Sequence, residues 1–212
     1  YSYQPMDLEI APDNKLWVST TRNHRGSGGG TILVANSDIT AFSAKHTITY
    51  NDGADTARRT ELEVASNGDI YALAAENPVT IIKSTNELAT APTPLTLPDD
   101  ADTGIDANDF TRAQSFYDLM IESDPKNPET IYAGGIDLFK STTGAENATA
   151  NPWEQFTHWY RGFGQQFAHA DQHNMAFGNY DSSKKIFGND GGIYFSQSNG
   201  SSEEISSRNF NY

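Results

Sequence analysis

Asp118-Leu119-Met120-Ile121, then the turn formers Asp124-Pro125-Lys126-Asn127-Pro128, then Ile131-Tyr132, then Phe139-Lys140-Ser141: this stretch decides the fold. It contains three short alternating or apolar runs separated by turn residues, the pattern of successive antiparallel strands. The same order recurs three more times. Asp7-Leu8-Glu9-Ile10, Glu61-Leu62-Glu63-Val64 and Asn174-Met175-Ala176-Phe177 match the first run. Ala11–Asn14, Ser66–Asp69 and Asn179–Ser183 match the turn. Leu16-Trp17, Ile70-Tyr71 and Ile186-Phe187 open the second strand, and Leu33-Val34-Ala35, Ile82-Lys83-Ser84 and Tyr194-Phe195-Ser196 supply the third. A weaker fourth strand is expected over His46–Tyr50, Pro94–Leu97 and Trp153–Thr157.

Working outward, four strands per unit of roughly 55 residues is the arithmetic of a β-propeller blade. The expected fold is therefore all-β: a β-propeller with four blades of about four antiparallel strands, over residues 6–58, 59–114, 115–168 and 169–212. The strands at Leu8, Leu62, Leu119 and Met175 are expected innermost, with no helix beyond a turn near Asp106–Ala113. Tyr1–Pro5 reads as the tail of a preceding unit and Arg208–Tyr212 as a crossing toward a further one. Residues 1–212 are thus expected to be one partial propeller, a piece of a larger ring.

Composition narrows the function classes. The 212 residues carry 28 acidic and 14 basic side chains, a formal charge of −14. A surface of that sign repels phosphate, which argues against nucleic-acid partners and anionic membranes. No apolar run approaches the length of a membrane-spanning helix. Without cysteine there is no disulfide, thiolate metal site or Cys nucleophile.

Candidate functional residues follow from the repeat. Asp7, Glu61, Asp118 and Asn174 occupy one position in the four units. In register they would line the channel as an acidic arc for cations or sugar hydroxyls, or tie adjacent blades through backbone N–H groups. His169, Asp171 and His173 are spaced i, i+2, i+4, so on an extended strand they share one face. Two imidazoles and a carboxylate suit a divalent metal, or a buried hydrogen-bonded corner. Asp190, in the turn Asn189-Asp190-Gly191-Gly192, is a further candidate ligand, for Ca²⁺ or another divalent ion, or a structural turn residue. Otherwise no cofactor is expected. The acidic run Asp99–Asp109 reads as a solvated loop or a Ca²⁺ loop without EF-hand spacing. Arg25–Gly30 is glycine-rich but lacks a phosphate-loop lysine. Trp153, Trp159, Tyr160 and Phe163 form an aromatic group suited to packing or sugar stacking. No catalytic set is singled out, and the seven arginines show no sialidase pattern.

Ser141-Thr142-Thr143-Gly144 with Trp153 resembles a degenerate Asp-box, or bacterial neuraminidase repeat, whose pattern is Ser-x-Asp-x-Gly-x-x-Trp. Thr143 stands at the Asp position, and an insertion separates Gly144 from Trp153. Ser196-Gln197-Ser198-Asn199-Gly200 is degenerate too. His169–Phe177 together with Gly188–Tyr194 resembles the propellers of sortilin-type and xyloglucan-hydrolase-like proteins. It is most similar to large secreted Bacteroidetes proteins exported by type IX secretion, as is the ending Ser207–Tyr212. The resemblance implies a propeller fold, a secreted or cell-surface location and the secretion machinery as a partner. It also implies a binding or structural, adhesion-like role toward a glycan or protein ligand, with a xyloglucanase-like glycoside hydrolase as the alternative.

Overall fold

The computed structural model describes residues 3–50, 53, 55–76, 79–100, 102–146, 150–162, 164–179, 181–199 and 202–208. Among them there is no α-helix; the chain runs as strands and tight connections. Near Asp106–Ala113 it makes successive single turns, closed by Asp109 N–H to Asp106 C=O and Arg112 N–H to Asp109 C=O. The structure divides into two units, residues 1–95 and 96–212.

The first unit holds β1 (Gln4–Ile10), β2 (Leu16–Thr21), β3 (Thr31–Ala35) and β4 (Phe42–Thr47) as one antiparallel four-stranded sheet in chain order. A small hairpin follows, β5 (Thr49–Tyr50) with β6 (Asp55–Thr56). Then β7 (Thr60–Val64), β8 (Ile70–Ala74), β9 (Thr80–Ser84) and β10 (Thr93–Pro94) form a second such sheet. Leu62, Val64, Ile70, Ala72 and Ile82 of the second sheet pack on Trp17 and Ile32 of the first, burying both faces.

The second unit repeats the arrangement. Its sheets are β11 (Met120–Asp124), β12 (Asn127–Gly134), β13 (Leu138–Ser141) and β14 (Trp153–Gln155), then β17 (Gln172–Gly178), β18 (Asp181–Asn189), β19 (Gly192–Asn199) and β20 (Ser202–Ser207). Between them β15 (Thr157–His158) pairs in parallel with β16 (Gln166–Phe167). Met175, Phe187 and Tyr194 pack on Met120, Tyr132 and Leu138.

The repeat extends below the level of strands. Tyr71 pairs with Lys83 across β8–β9, and Tyr132 with Lys140 across β12–β13. In both pairs the ammonium lies over the ring, at 5.4 and 5.7 Å. The turns after β9 and β13 also match. Ser84 Oγ accepts the Leu88 N–H at 2.9 Å, and Ser141 Oγ accepts the Ala145 N–H at 3.0 Å. Each turn holds two successive left-handed residues, Glu87 and Leu88 or Gly144 and Ala145. Only the second of these turns carries a readable sequence pattern.

Three local expectations need correction. The outer strand of the second sheet is Thr93–Pro94, short because proline cannot donate to the ladder. Leu119 lies just ahead of β11 rather than within it. β17 begins at Gln172, because Asp171 has φ +68° and interrupts the extended backbone that His169–His173 would need. Tyr1, Ser2, Phe163, Tyr180, Gly200 and residues 209–212 of the sequence reading lie outside the described residues.

Candidate functional site

In a four-stranded meander the turn between the second and third strands lies at the same end as the crossing to the next sheet. In the second unit that end gathers the crossing 96–119, the turn 135–137, the crossing 156–171 and the turn 190–191. These are also where the unit's unusual chemistry lies.

The first group centres on Asp102. Its Oδ2 accepts from Arg112 Nη2 at 2.5 Å and Trp159 Nε1 at 3.3 Å; its Oδ1 accepts from His158 Nε2 and Tyr160 OH, both at 2.9 Å. Arg112 also donates from Nε and Nη2 to Asp100 Oδ2, at 3.0 and 2.8 Å. Burial alone would raise Asp102, but the donors from Arg112, His158, Tyr160 and Trp159 outweigh it and hold the carboxyl well below its usual range. Behind the group, burial pushes Asp137 up to about 7 despite the nearby His158. Asp137 accepts from Gln155 Nε2 at 3.0 Å and Thr157 Oγ1 at 3.3 Å. Trp159 itself stays exposed, one ring face toward Arg112 at 5.9 Å, its edge against Tyr160 at 4.5 Å between centroids. The acidic run is thus neither a solvated loop nor an ion loop at Asp100 and Asp102. It is a salt-bridged anchor beneath an aromatic surface.

The second group is Tyr117, Asp171, His173 and Asp190. Asp190 Oδ1 accepts from His173 Nε2 at 2.8 Å and Tyr117 OH at 2.9 Å, and the two rings meet edge to face at 5.0 Å. Asp171 shares a hydrogen bond with Asp190; burial first and that neighbour second raise Asp171, while the His173 bond lowers Asp190. The His169, Asp171 and His173 side chains do not form a buried corner. His169 is exposed and Asp171 and His173 are half-buried, because the left-handed Asp171 turns this segment outward. His169 Nδ1 faces the Ala170 carbonyl at 3.2 Å. Its side chain lies across Gly191, where any Cβ would come within 2.3 Å of His169 Cβ. Among the described residues no three His, Cys, Asp or Glu side chains gather as metal ligands.

The four repeat-equivalent polar residues differ in environment. Asp7 is half-buried and accepts the Leu8 N–H at 2.8 Å and the Leu62 N–H at 2.9 Å, the latter joining the two sheets of its unit. Glu61 is buried against Arg59 Nε at 2.5 Å; burial outweighs that partner and raises it to about 7. Asp118 is fully buried and Asn174 is exposed. Trp153 is buried, donating Nε1 to Thr96 C=O at 2.7 Å, so it packs rather than presents a surface.

Sequence reasoning missed the Arg112 and His158 partners of Asp102. The signal available was the density of Asp in 99–109 with a single cation, Arg112, directly after it in the sequence. It also missed two shallow grooves of about 560 and 480 Å³ that share Gln165, Gln166 and Ile205. Gln165 Oε1, buried without a hydrogen-bond partner, belongs to both.

No protein-family model matches the chain, and no curated protein matches it in sequence. Among solved structures it is similar to a GH74 enzyme of Niastella koreensis, at 16% identity and TM-score 0.64 over 98% of this chain and 30% of that one. It is also similar to an auxiliary nutrient binding protein of Bacteroides ovatus (12%, TM-score 0.54, 92% and 45%) and to the GH74 xyloglucanase of Xanthomonas campestris (14%, TM-score 0.52, 86% and 25%). The fold is a xyloglucanase-like β-propeller fold. The chain spans less than half the length of each of these proteins, and at these identities the likeness concerns fold alone.

Proposed function

We propose that the chain is a glycan-binding propeller module of an exported, secreted or cell-surface protein, and that the loop end of its second unit is the binding surface. The observation that carries this is Trp159. It is an exposed ring locked by its own N–H bond to Asp102 and by the Arg112 guanidinium against it. A rigid aromatic face costs little entropy to use, and the two grooves that share Gln165 and Gln166 in the same unit supply further amide and aromatic groups for hydroxyls. The solved structures of similar fold include glycoside hydrolases and a nutrient binding protein, which supports a carbohydrate ligand. Export through the type IX machinery rests on the resemblance of His169–Phe177 and Gly188–Tyr194, and the Asp-box ancestry of the turn at Ser141 rests on the resemblance of Ser141–Gly144 with Trp153.

Binding is favoured over hydrolysis because the carboxylates gathered in the two groups are already engaged. Glycoside cleavage needs two carboxyl groups about 5–10 Å apart across the bond. Asp171 and Asp190 are hydrogen-bonded to each other, and Asp102 is held by four donors. The test is affinity electrophoresis against a panel of neutral and acidic polysaccharides, with a reducing-sugar assay on the same panel. At least one polysaccharide should retard the protein without turnover, and Trp159→Ala should weaken that binding about tenfold, the worth of one aromatic contact. Retardation by none, or unchanged binding in the variant, would overturn the proposal; turnover would establish the hydrolase instead.

A further inference from the structure

The two grooves of the second unit share a wall and differ in charge. Gln165, Gln166 and Ile205 line both. Gln166 is fixed to the edge of β20: its Nε2 donates to the Glu203 C=O, and its Oε1 accepts the Ile205 N–H at 2.6 Å. The groove of about 560 Å³ adds Lys140 and Glu154, which stand opposite each other across β13 and β14, and Glu203, which is bound to Lys185. Its charges balance. The groove of about 480 Å³ adds Arg161, Phe167, Tyr194, Ser206 and Ser207. Among the described residues lining it, Arg161 is the one charged side chain. Tyr194 and Ile205 pack on the core shared with Met120, Tyr132 and Leu138 of the preceding sheet. The groove therefore lies on the side of the β17–β20 sheet turned toward its neighbour within the unit, and its other wall is the crossing 156–171.

Arg161 is exposed, and its guanidinium carbon lies 5.0 Å from the centre of the Phe167 ring. Among the described residues no acceptor bonds that guanidinium. The ring face holds the cation in place, and the N–H groups along the edge of the fork are left for something else. The chain has 28 acidic and 14 basic side chains, yet none of the described acidic ones enters this groove. Beside it Gln165 Oε1 is shielded from water without a donor, a state that a hydroxyl would relieve. One ligand answers both groups: a sugar ring that carries an anion as well as hydroxyls.

We propose that this groove seats the carboxylate of a uronic acid residue, so that the glycan bound by the second unit is an acidic one. The Arg161 fork takes the planar carboxylate through two parallel N–H bonds, Gln165 Oε1 takes a ring hydroxyl, and the charge-balanced groove across the shared wall takes a neutral neighbour in the chain. This rests on the glycan-binding reading above and names its sugar class. The net charge of −14 repels such a polymer at long range, but salt screens that repulsion beyond about 8 Å at physiological strength, whereas the contact at Arg161 is made at bonding distance.

The test is affinity electrophoresis at physiological ionic strength in polygalacturonate, alginate and glucuronoxylan, each beside its carboxyl-reduced, neutral counterpart. At least one acidic polymer should hold the wild type about tenfold more tightly than its reduced form, the worth of one hydrogen-bonded charge. Arg161→Gln alters an exposed side chain, so it should keep the wild-type circular dichroism and melting midpoint while bringing that ratio to about one. Arg161→Lys, which keeps the charge without the fork, should restore part of the ratio. Dextran sulfate should bind more weakly than the best uronate polymer. Acidic polymers held no better than their reduced forms, with Trp159→Ala still weakening both, would overturn this inference and leave the glycan-binding reading standing. Retardation by no polymer would overturn both. A ratio that survives Arg161→Gln, or dextran sulfate held as tightly as the uronate polymer, would also overturn the assignment.

Discussion

The two units build the same sheets and spend their carboxylates differently. In the first unit Asp7, Glu9, Glu61 and Glu63 lie on the neighbouring strands β1 and β7, with crossings too short to bring many counter-charges. Burial, then Glu63 and Asp7, push Glu9 up to about 8, and Asp7 is spent on backbone N–H groups. In the second unit the longer crossings bring Arg112 to Asp100 and bring Arg112, His158, Trp159 and Tyr160 to Asp102, whose charge these donors keep. A repeated frame of strands thus leaves the electrostatics to the connections, the part of a fold in which proteins commonly carry their binding residues.

The sharpest way to break this contrast is Arg112→Ala. It removes the guanidinium from two carboxylates whose side chains are almost wholly buried. Loss of one partner from a buried ion pair costs on the order of 3–5 kcal/mol. Chemical denaturation should show a loss of that size, with hydrogen exchange rising first in 96–119 and 156–171. A loss below about 1 kcal/mol would mean that the network is incidental to folding.

Asp7→Ala comes next. It strips the acceptor from the Leu62 N–H between two sheets, and an amide left without a partner costs on the order of 1–3 kcal/mol. Asp7→Asn keeps one acceptor oxygen and should recover part of the loss. Equal effects from the two variants would show that the carboxylate's charge, not its geometry, holds the sheets.

The strands were legible because short apolar runs between turn formers have few other ways to bury themselves, and four repetitions made the period visible. Met175 and Leu62 could be placed from the sequence alone. The site was less legible, for physical reasons. Asp102 meets His158 across 56 residues, and no local pattern encodes such a meeting. The His169–His173 spacing was readable, but its meaning depended on one backbone angle. An Asp can adopt the left-handed region, and Asp171 does so, which leaves His169 on a surface turn while His173 stays in β17, so the two no longer share one strand.

An effect of pH runs through both units. Glu9 and Glu61 are raised to about 8 and about 7 from an ordinary 4.5. Between those limits the folded chain binds more protons than the unfolded one, so stability falls as pH rises from about 5 to about 8. Asp137 adds to the same trend in the second unit. Asp102 behaves oppositely. Its depressed acidity stabilises above the unfolded carboxylate range and is lost only as pH falls well below it. Denaturation midpoints should therefore rise on acidification toward pH 5 and then decline. Glu9→Gln should flatten the upper part of that curve and leave the acid limb in place. An unchanged slope above pH 5 would remove Glu9 from the account.

The smallest effect expected is none, and it tests whether burial rather than pairing is what distinguishes the units. Lys15 in the first unit resembles Arg112 on paper: one cation, two carboxylates, Asp13 at 2.8 Å and Glu87 at 2.7 Å, the second 72 residues away. Here, however, all three side chains are between 41% and 49% exposed. Water solvates each charge nearly as well as its partner does, and holding three flexible side chains in one geometry offsets what Coulomb attraction remains. Lys15→Ala should leave the melting midpoint within the scatter of the wild type at any salt concentration. A clear loss that shrinks as salt is added would instead show that the surface pair joins the turn after β1 to the turn after β9. The first unit would then depend on charge as the second does, through its surface rather than its interior.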